Sequence, residues 1–247
     1  MIQVINRALD ILEHVAAQGK EPIKLQHIAE HAGLSQPTTA NIVKTLVQKN
    51  YLEQVGRSIG YRLGVAAYQL TGSATYGLDI ADAAKEPMQE LTRTLKETSL
   101  IATIRNHQRV ILHMEECDQV LQVRTVMVAE VYSTSTGRLL LAFMPEKELE
   151  NLIKAIGLPS KKIWPGADTR AGLYTALQKI KEEEFVQVIT VHHTVGFAVP
   201  VYKKKAIIAS LSVFIPESRY SENNKSKITK LLNSTAKKIK DRLEGSV

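Results

Sequence analysis

The first 50 residues of the chain place apolar side chains at helical spacing, with turn residues between the segments. One apolar series recurs at i, i+4, i+7 and i+11 and predicts a first helix that ends near Gly19. Its predicted buried stripe is Ile5, Leu9, Leu12 and Ala16. A second, short helix is predicted after Pro22 and ends at Gly33, whose permissive backbone suits a tight turn. Ser35 can cap a third helix directly after that turn, and Pro37 fits its first turn.

The third predicted helix carries polar residues on its outward side. Two helices joined by a short turn that contains glycine form a helix-turn-helix, and the second helix can lie in the major groove of DNA. Acidic residues are absent between Leu34 and Tyr51, whereas a helix that serves only solubility usually includes glutamate. The alternative is a helix that only packs against its neighbours. The predicted DNA contacts on this helix and its cap are Ser35, Gln36, Thr38, Thr39, Asn41, Lys44 and Thr45.

Two short strands are predicted after this helix, at residues 51–55 and 61–63, around a glycine-containing loop with a basic tip. Such a hairpin forms the wing of a winged helix, and Arg57 at its tip is predicted to hold a DNA phosphate. The loop also spells G-R-S-I-G, which matches the nucleophile elbow of hydrolases around Ser58. That elbow needs a helix to leave the loop. Because a strand leaves it here, the wing is the preferred interpretation.

The pattern changes after residue 64. Residues 65–70 predict a short helical stretch and residues 78–98 a long helix. Runs rich in Ile and Val then predict strands at 100–104, 110–114, 121–126, 185–191, 196–202 and 206–214. Further helices are predicted at 137–143, 146–156, 171–183 and after the last strand. The chain is therefore predicted to be α+β, with a helical N-terminal part and a sheet domain flanked by helices.

Composition narrows the class of protein. The chain has 247 residues, 44% hydrophobic and 23% charged, which is typical of soluble globular proteins. A single cysteine excludes an internal disulfide, and no apolar run approaches the roughly 20 residues of a membrane helix. We therefore expect a cytoplasmic protein with no membrane partner. Residues 203–247 carry 11 Lys and Arg against 4 Asp and Glu, which accounts for the whole net charge of +7 and indicates a solvated surface rather than a DNA site.

Four spaced motifs occur in order in the N-terminal part. They are N-R-A-L-D-I-L-E from Asn6, I-A-E-H-A-G-L-S from Ile28, K-N-Y-L from Lys49 and Y-R-L-G from Tyr61. Together they resemble the winged helix-turn-helix of the IclR family of bacterial transcriptional regulators. The family usually has arginine in the recognition helix where this chain has Asn41. Since asparagine can pair with adenine through two hydrogen bonds, a different sequence preference is expected.

Three motifs extend the resemblance over nearly the whole chain: S-T-G-R-L-L-L-A-F from Ser135, A-V-P-V from Ala198 and S-L-S-V from Ser210. The resemblance implies a winged domain at 1–64, a linker at 65–77, and a GAF-like α/β effector-binding and oligomerisation domain at 78–247. It implies double-stranded operator DNA and a small-molecule effector as partners of a homodimer or tetramer. Small apolar residues in the linker suit the pairing of two chains, unless they only pack on their own wing. They are Ala66, Ala67 and Leu70.

Four small or polar residues stand at the start of an apolar helix, where free amides and the positive end of the helix dipole favour an anion. They are Thr134, Ser135, Thr136 and Gly137. The resemblance implies that this loop lines the effector pocket and that Ser212 faces it, with a carboxylate or aromatic acid as the effector. An ordinary Ser/Thr cap is the alternative. Phe214 and Ile215 replace small polar residues usual in the family, which predicts a more apolar or smaller cavity.

Other groups that could carry chemistry are scattered. The spacing typical of metal ligands does not occur among His113, Cys117, His192 and His193. The sequence also contains no paired carboxylates, no phosphate-binding loop and no dinucleotide-binding motif. We therefore assign no metal, no cofactor and no enzymatic activity. The leading hypothesis is a ligand-responsive transcriptional regulator, repressor or activator, of a metabolic or catabolic operon. A metabolic enzyme with an N-terminal interaction module and a ligand-independent architectural DNA binder are the alternatives.

Overall fold

The computed structural model of the protein describes residues 2–19, 21–56, 59–72, 78–123, 125–190 and 193–245. The chain divides into two compact units, Met1–Thr75 and Tyr76–Val247. This division falls inside the stretch 65–77 predicted as a linker, whose boundaries stay a prediction. Within the described ranges, no helix has the length and apolar character needed to cross a membrane.

The described residues of the N-terminal unit form a helix-turn-helix followed by a hairpin and a further helix. The elements are α1 (Gln3–Ala17), α2 (Leu25–Ala32), α3 (Gln36–Gln48), β1 (Leu52–Gly56), β2 (Gly60–Leu63) and α4 (Val65–Gly72). Helix α2 ends where Gly33 takes a left-handed φ of 61°, a conformation that glycine adopts easily. The Ser35 hydroxyl accepts from the Thr38 amide at 3.4 Å and caps α3, with proline in its first turn. The local turn and cap signals therefore form as expected.

The buried side of α1 differs from the predicted stripe. Ile11 and Val15 are 1% exposed and join the core of this unit, whereas Ile5 and Leu9 are 53% and 52% exposed. The prediction was wrong because α1 carries apolar residues on more than one side, so their period alone does not decide which side packs. An exposed apolar strip results at the start of α1, consisting of Ile2, Ile5 and Leu9, while Val4 is exposed on another side of the helix.

The C-terminal unit is built on an antiparallel sheet with the strand order β5-β4-β3-β8-β7-β6. Its strands are β3 (Ser99–Arg105), β4 (Gln108–Glu115), β5 (Val128–Glu130), β6 (Val186–Ile189), β7 (Thr194–Lys203) and β8 (Ala206–Pro216). The predicted strand at 121–126 is wrong, since its described residues are irregular and β5 begins only at Val128. The carbonyl oxygen of Val126 accepts a hydrogen bond from the Arg109 side chain, and not from a neighbouring strand.

Helices cover both faces of this sheet. They are α5 (Leu78–Leu95), α6 (Ser135–Ala142), α7 (Glu146–Ile156), α8 (Arg170–Glu183) and α9 (Glu222–Leu243). Helix α5 stops three residues before the predicted end, where Lys96 adopts a positive φ of 57°. One face of the sheet packs against α5 and α9 through side chains such as Phe197, Leu211 and Val213. The opposite face bears α6, with α7 and α8 packed around it.

The alternation of side chains along β8 positions the predicted effector site. Val213 belongs to the core on the α5 and α9 side, so its neighbour Ser212 faces the other side of the sheet. There the Ser212 hydroxyl lies 3.2 Å from the hydroxyl of Ser135, the first residue of α6. The sheet and the beginning of α6 therefore meet at two residues that the sequence assigned to the effector site.

Candidate functional site

The exposed side of α3 is the candidate DNA-reading surface. The predicted contact residues that are exposed are Ser35, Gln36, Thr38, Asn41, Lys44 and Thr45. The hydroxyl oxygens of Ser35 and Thr38 lie 2.9 Å apart, and the Thr45 hydroxyl donates to the carbonyl oxygen of Asn41 at 3.0 Å. These hydroxyls are therefore held by contacts within α3 and its cap.

Three longer side chains complete this surface. Among the described residues, none forms a hydrogen bond or ion pair with the side chains of Gln36, Asn41 and Lys44. Amide groups can donate to and accept from base edges, whereas an ammonium group suits phosphate. The structure therefore presents both kinds of contact on one side of α3.

Two of the predicted DNA contacts stand apart. Thr39 is 0% exposed, and its hydroxyl donates to the carbonyl oxygen of Ser35 at 3.1 Å. The prediction that Thr39 faces outward is wrong, because it lies four residues before the buried Val43 and shares that side of the helix. Arg57, predicted at the tip of the wing, lies outside the described residues.

The C-terminal unit contains a cavity of about 720 Å³ on the face of the sheet that bears α6. All six strands of the sheet and the start of α6 contribute to its lining, together with irregular residues at 123, 125, 126, 160, 162 and 163. A volume in this range accommodates a small organic molecule. The predicted effector residues that line it are Thr134, Ser135, Thr136 and Ser212.

The start of α6 combines a structural cap with the wall of this cavity. The Thr134 hydroxyl accepts from the Gly137 amide at 3.0 Å. Thr134 is therefore an ordinary helix cap, and the same residue also lines the cavity. Gly137 is absent from the described lining residues. A Cβ atom there would lie 2.1 Å from the carbonyl oxygen of Val131, so glycine permits the close approach of α6 to the preceding turn.

The two apolar residues after Ser212 have different positions. Phe214 lines the cavity, whereas Ile215 belongs to the core on the opposite face of the sheet. Alternation along β8 explains the difference, since residues two apart face the same side. Only Phe214 therefore contributes the apolar character that was predicted from both residues.

Arg109 on β4 also lines the cavity and was missed in the sequence. It is 1% exposed, and its Nη1 donates to the carbonyl oxygens of Val126 at 3.0 Å and Met127 at 3.3 Å. Its Nη2 donates to the Thr125 hydroxyl at 3.3 Å, while its Nε has no hydrogen-bond partner among the described residues. Burial lowers the pKa of Arg109 to about 10. The available signal was its position two residues before the apolar Ile111, in phase with the inward side of the strand.

Arg138 in α6 is a second buried arginine at the cavity. Its Nε donates to the carbonyl oxygen of Tyr132 at 2.7 Å and its Nη2 to that of Ile163 at 2.6 Å. The guanidinium lies over the Trp164 ring, 4.3 Å from the centroid. Burial lowers the pKa of Arg138 to about 10 as well. Its contacts tie α6 to the segment around residue 163.

The described histidines and the cysteine that the sequence singled out make separate contacts. His113 Nε2 lies 2.7 Å from Glu115 Oε1, and His193 Nδ1 lies 2.7 Å from Glu217 Oε2. The buried Cys117 accepts from the Thr98 hydroxyl at 3.6 Å, and His192 is outside the described residues. Within the described ranges, no three His, Cys, Asp or Glu residues are grouped to hold a metal ion.

A winged helix-turn-helix and a sheet domain with a cavity define a class of DNA-binding protein with a C-terminal sensor domain. The model of the IclR helix-turn-helix domain matches residues 4–56, and the model of the bacterial transcriptional regulator IclR C-terminal domain matches residues 72–241. The chain belongs to the IclR family of bacterial transcriptional regulators.

Individual relatives match along most of the chain. The HTH-type transcriptional regulator KdgR of Escherichia coli strain K12 is 24% identical over 242 residues, covering 95% of this chain and 91% of that protein. XynR of the same strain is 27% identical over 229 residues, covering 90% and 89%. The crystal structure of an IclR homolog from Microbacterium hydrocarbonoxydans complexed with 4-hydroxybenzoate is 21% identical, with a TM-score of 0.76 over 98% of this chain and 100% of that one. This last likeness supports the fold.

Proposed function

We propose that the protein is a ligand-responsive regulator of a metabolic or catabolic operon. It binds double-stranded operator DNA through α3 and changes its operator affinity when a small metabolite fills the cavity of the C-terminal unit. The observation that carries this proposal is the presence, in one chain, of an exposed side of α3 without acidic residues and a cavity of about 720 Å³ that hydroxyl groups and apolar side chains line together. Membership of a family of transcriptional regulators supports the same conclusion.

The DNA contacts divide by chemistry. Asn41 and Gln36 choose bases, because an amide can pair with adenine through a donor and an acceptor. Lys44, with Arg57 of the wing, holds phosphates, since a flexible cation makes contacts that are independent of sequence. Ser35, Thr38 and Thr45 add hydroxyl contacts along the same side.

The effector is a small carboxylate or aromatic acid. Ser135, Thr136 and Ser212 place hydroxyl groups beside the positive end of the α6 dipole, which favours a negative group. Phe214 offers an apolar wall for the body of the ligand. The aromatic acid bound by the Microbacterium relative supports this class of ligand.

The active assembly is a homodimer or tetramer that binds a palindromic operator. Two half-sites one DNA turn apart require two copies of α3 related by symmetry. The exposed apolar strip of α1, with Val65 and Leu70 of α4 at 60% and 61% exposure, supplies apolar surface for pairing two copies.

Operator binding by the purified full chain tests the proposal. At about 100 mM salt it should bind its own upstream DNA more tightly than random duplex, by about 10³-fold or more. A bound effector should change operator affinity roughly 5-fold to 150-fold, and operator DNA should change effector affinity by the same factor. Thr136→Val keeps the shape but removes a hydroxyl, so it should weaken a carboxylate ligand and leave ligand-free operator binding intact. Equal affinity for both duplexes would refute the regulator. Unchanged operator affinity with effector bound would refute the sensor.

A further inference from the structure

Arg109 carries its charge in a place where the described residues supply no counter-ion. Neutral acceptors take up its Nη1 and Nη2, but its Nε remains without a partner. A buried cation is costly when no anion offsets the loss of its hydration. With a pKa of about 10, the guanidinium is still charged at neutral pH. This part of the cavity therefore lacks one negative charge.

The rest of the cavity adds positive charge. Arg138 and Lys162 also line it, and its described lining residues include no aspartate or glutamate. Arg138 has carbonyl acceptors on Nε and Nη2 and a stacked ring, and Lys162 is exposed to water. Of these three cations, Arg109 is the one whose charge is least compensated.

Arg109 and the start of α6 form separate polar regions of the cavity. Ser212, which contacts α6, lies on β8, and β3 separates β8 from β4. Ser212 pairs with Leu100 of β3, whereas Arg109 pairs with Ile104, four residues further along that strand. The two backbone positions therefore lie about 10 Å apart across the sheet and about 13 Å apart along the strands. Leu100, opposite Ser212, adds apolar surface to the cavity. The cavity thus suits a molecule with an apolar body and a charged group directed at Arg109.

We infer that Arg109 binds an anionic group of the effector and makes the cavity selective for organic anions over neutral molecules of the same shape. A carboxylate can accept from Nε together with the adjacent Nη2, a bidentate geometry that arginine favours. The inference rests on the proposed function, because it assigns a ligand class and a selectivity residue to the same cavity.

The test compares carboxylates with their own amides on the full chain. The pairs are benzoate with benzamide, phenylacetate with phenylacetamide and 3-phenylpropionate with its amide, measured by calorimetric titration. Wild-type protein should bind at least one acid about 10-fold or more tighter than its amide, because a hydrogen bond to a charged group is stronger than one to a neutral group. In Arg109→Gln this ratio should fall below about 3-fold.

Two further variants make the result specific. Arg105→Gln applies the same substitution to an exposed arginine at the end of β3, outside the cavity lining, and should keep the wild-type ratio. Arg109→Lys retains the charge on a shorter side chain, so it should weaken acid binding, leave amide binding unchanged and keep a preference for the acid. This variant carries the test if Arg109→Gln does not fold.

Several outcomes would overturn the inference. They are an unchanged ratio in Arg109→Gln, equal binding of acids and amides by the wild type, and a wild type that binds no acid of the panel. A purely structural role in holding residues 125–127 would lower the Tm of both Arg109 variants without changing the ratio. Operator measurements distinguish this inference from the proposed function. If a neutral ligand shifts operator affinity, the proposed regulator is supported and the role of Arg109 is refuted. If acids bind through Arg109 but do not change operator affinity, the role of Arg109 is supported and the proposed regulator is refuted.

Discussion

The two units of the molecule place their candidate functional polar groups in opposite ways. In the N-terminal unit, Gln36, Asn41 and Lys44 stand exposed on a helix whose other side is buried. In the C-terminal unit, Ser135 and Ser212 are buried beneath the first turn of α6. A DNA duplex is large and stays hydrated, so the groups that read it must be reachable from outside. A small ligand loses most of its hydration when it enters a cavity, so the protein groups that replace this water must be enclosed.

This difference has an energetic consequence. An exposed group exchanges water for DNA and contributes little to folding, whereas a buried polar group must find a partner in the empty protein or destabilise it. Ser135 and Ser212 satisfy each other, and Thr134 caps an amide of its own helix. Arg109 Nε lacks such a partner within the described structure. Substitutions on the exposed side of α3 should therefore change binding alone, whereas substitutions around the cavity should change both binding and stability.

The largest effect is expected where α3 turns from its exposed to its buried side. Thr39→Lys would place an ammonium group in the core of the N-terminal unit and should lower the free energy of unfolding by about 3 kcal/mol or more. Thr45→Lys, the same substitution on the exposed side, should stay within about 0.5 kcal/mol of the wild type. Urea unfolding followed by circular dichroism measures both. Unchanged stability and tighter DNA binding in Thr39→Lys would instead show that residue 39 faces the duplex.

The next effect concerns base choice. Replacing Asn41 by arginine should move the preference at one operator position from adenine to guanine, because arginine pairs with the two acceptors of guanine. Each good pair is worth about 1–3 kcal/mol of discrimination. Selection of binding sites from a randomised duplex, with wild type, Asn41→Arg and Asn41→Ala, measures the change. If all three variants select the same sequence, Asn41 does not choose a base.

The sequence predicted the turn between α2 and α3 and the start of α3 correctly, because the signals for them are local. Gly33, Ser35 and Pro37 define the turn, cap and first turn of α3 within five positions. The stripe of α1 could not be chosen in this way, since the helix offers more than one apolar side. The predicted strand at 121–126 failed for a related reason: an apolar run indicates a strand only where a partner is available, and Leu121 is exposed.

The cavity was predicted only in part. The predicted residues Thr134, Ser135, Thr136 and Ser212 lie in one short motif and on one strand, where helix-start chemistry and the family resemblance point to them. Arg109 lies outside these motifs, and its phase with Ile111 is a weak signal, because its burial is completed by residues 125–127 folding over it. An arginine at the beginning of a strand is usually exposed. Tertiary contacts, and not local pattern, decide its environment.

A smaller effect is expected for the phosphate contact of the reading surface. Lys44→Ala should weaken binding to all duplexes alike and lower the slope of log affinity against log salt by about one unit, because one fewer phosphate is neutralised. Titrations from low to moderate salt on operator and random DNA measure the slope. Lys49→Ala removes a lysine beyond the predicted contact set and is the matched control. A changed base preference with an unchanged slope would assign Lys44 to base reading instead.

The smallest effect is a pH dependence confined to the N-terminal unit. The rings of His14 and His31 stack with centroids 3.6 Å apart. Burial lowers the pKa of His14 below its ordinary value of 6.5, and the nearby charge of His31 lowers it further. The unfolded chain therefore takes up this proton more readily than the folded one. Above pH 6.5 the imidazole is neutral in both states, and as the pH falls below 6.5 the folded unit loses stability until its own His14 is protonated.

Hydrogen exchange of peptides from α1 and α2, corrected for the intrinsic pH dependence of exchange, should show this loss between pH 7 and pH 5. Because His14 is only partly buried, water weakens the effect. His31→Gln removes the neighbouring charge and should reduce the pH dependence, whereas His27→Gln, on an exposed position of the same helix, should leave it unchanged. Equal pH dependence in all three proteins would remove the stacked pair as its cause. Protection that rises as the pH falls would contradict the direction itself.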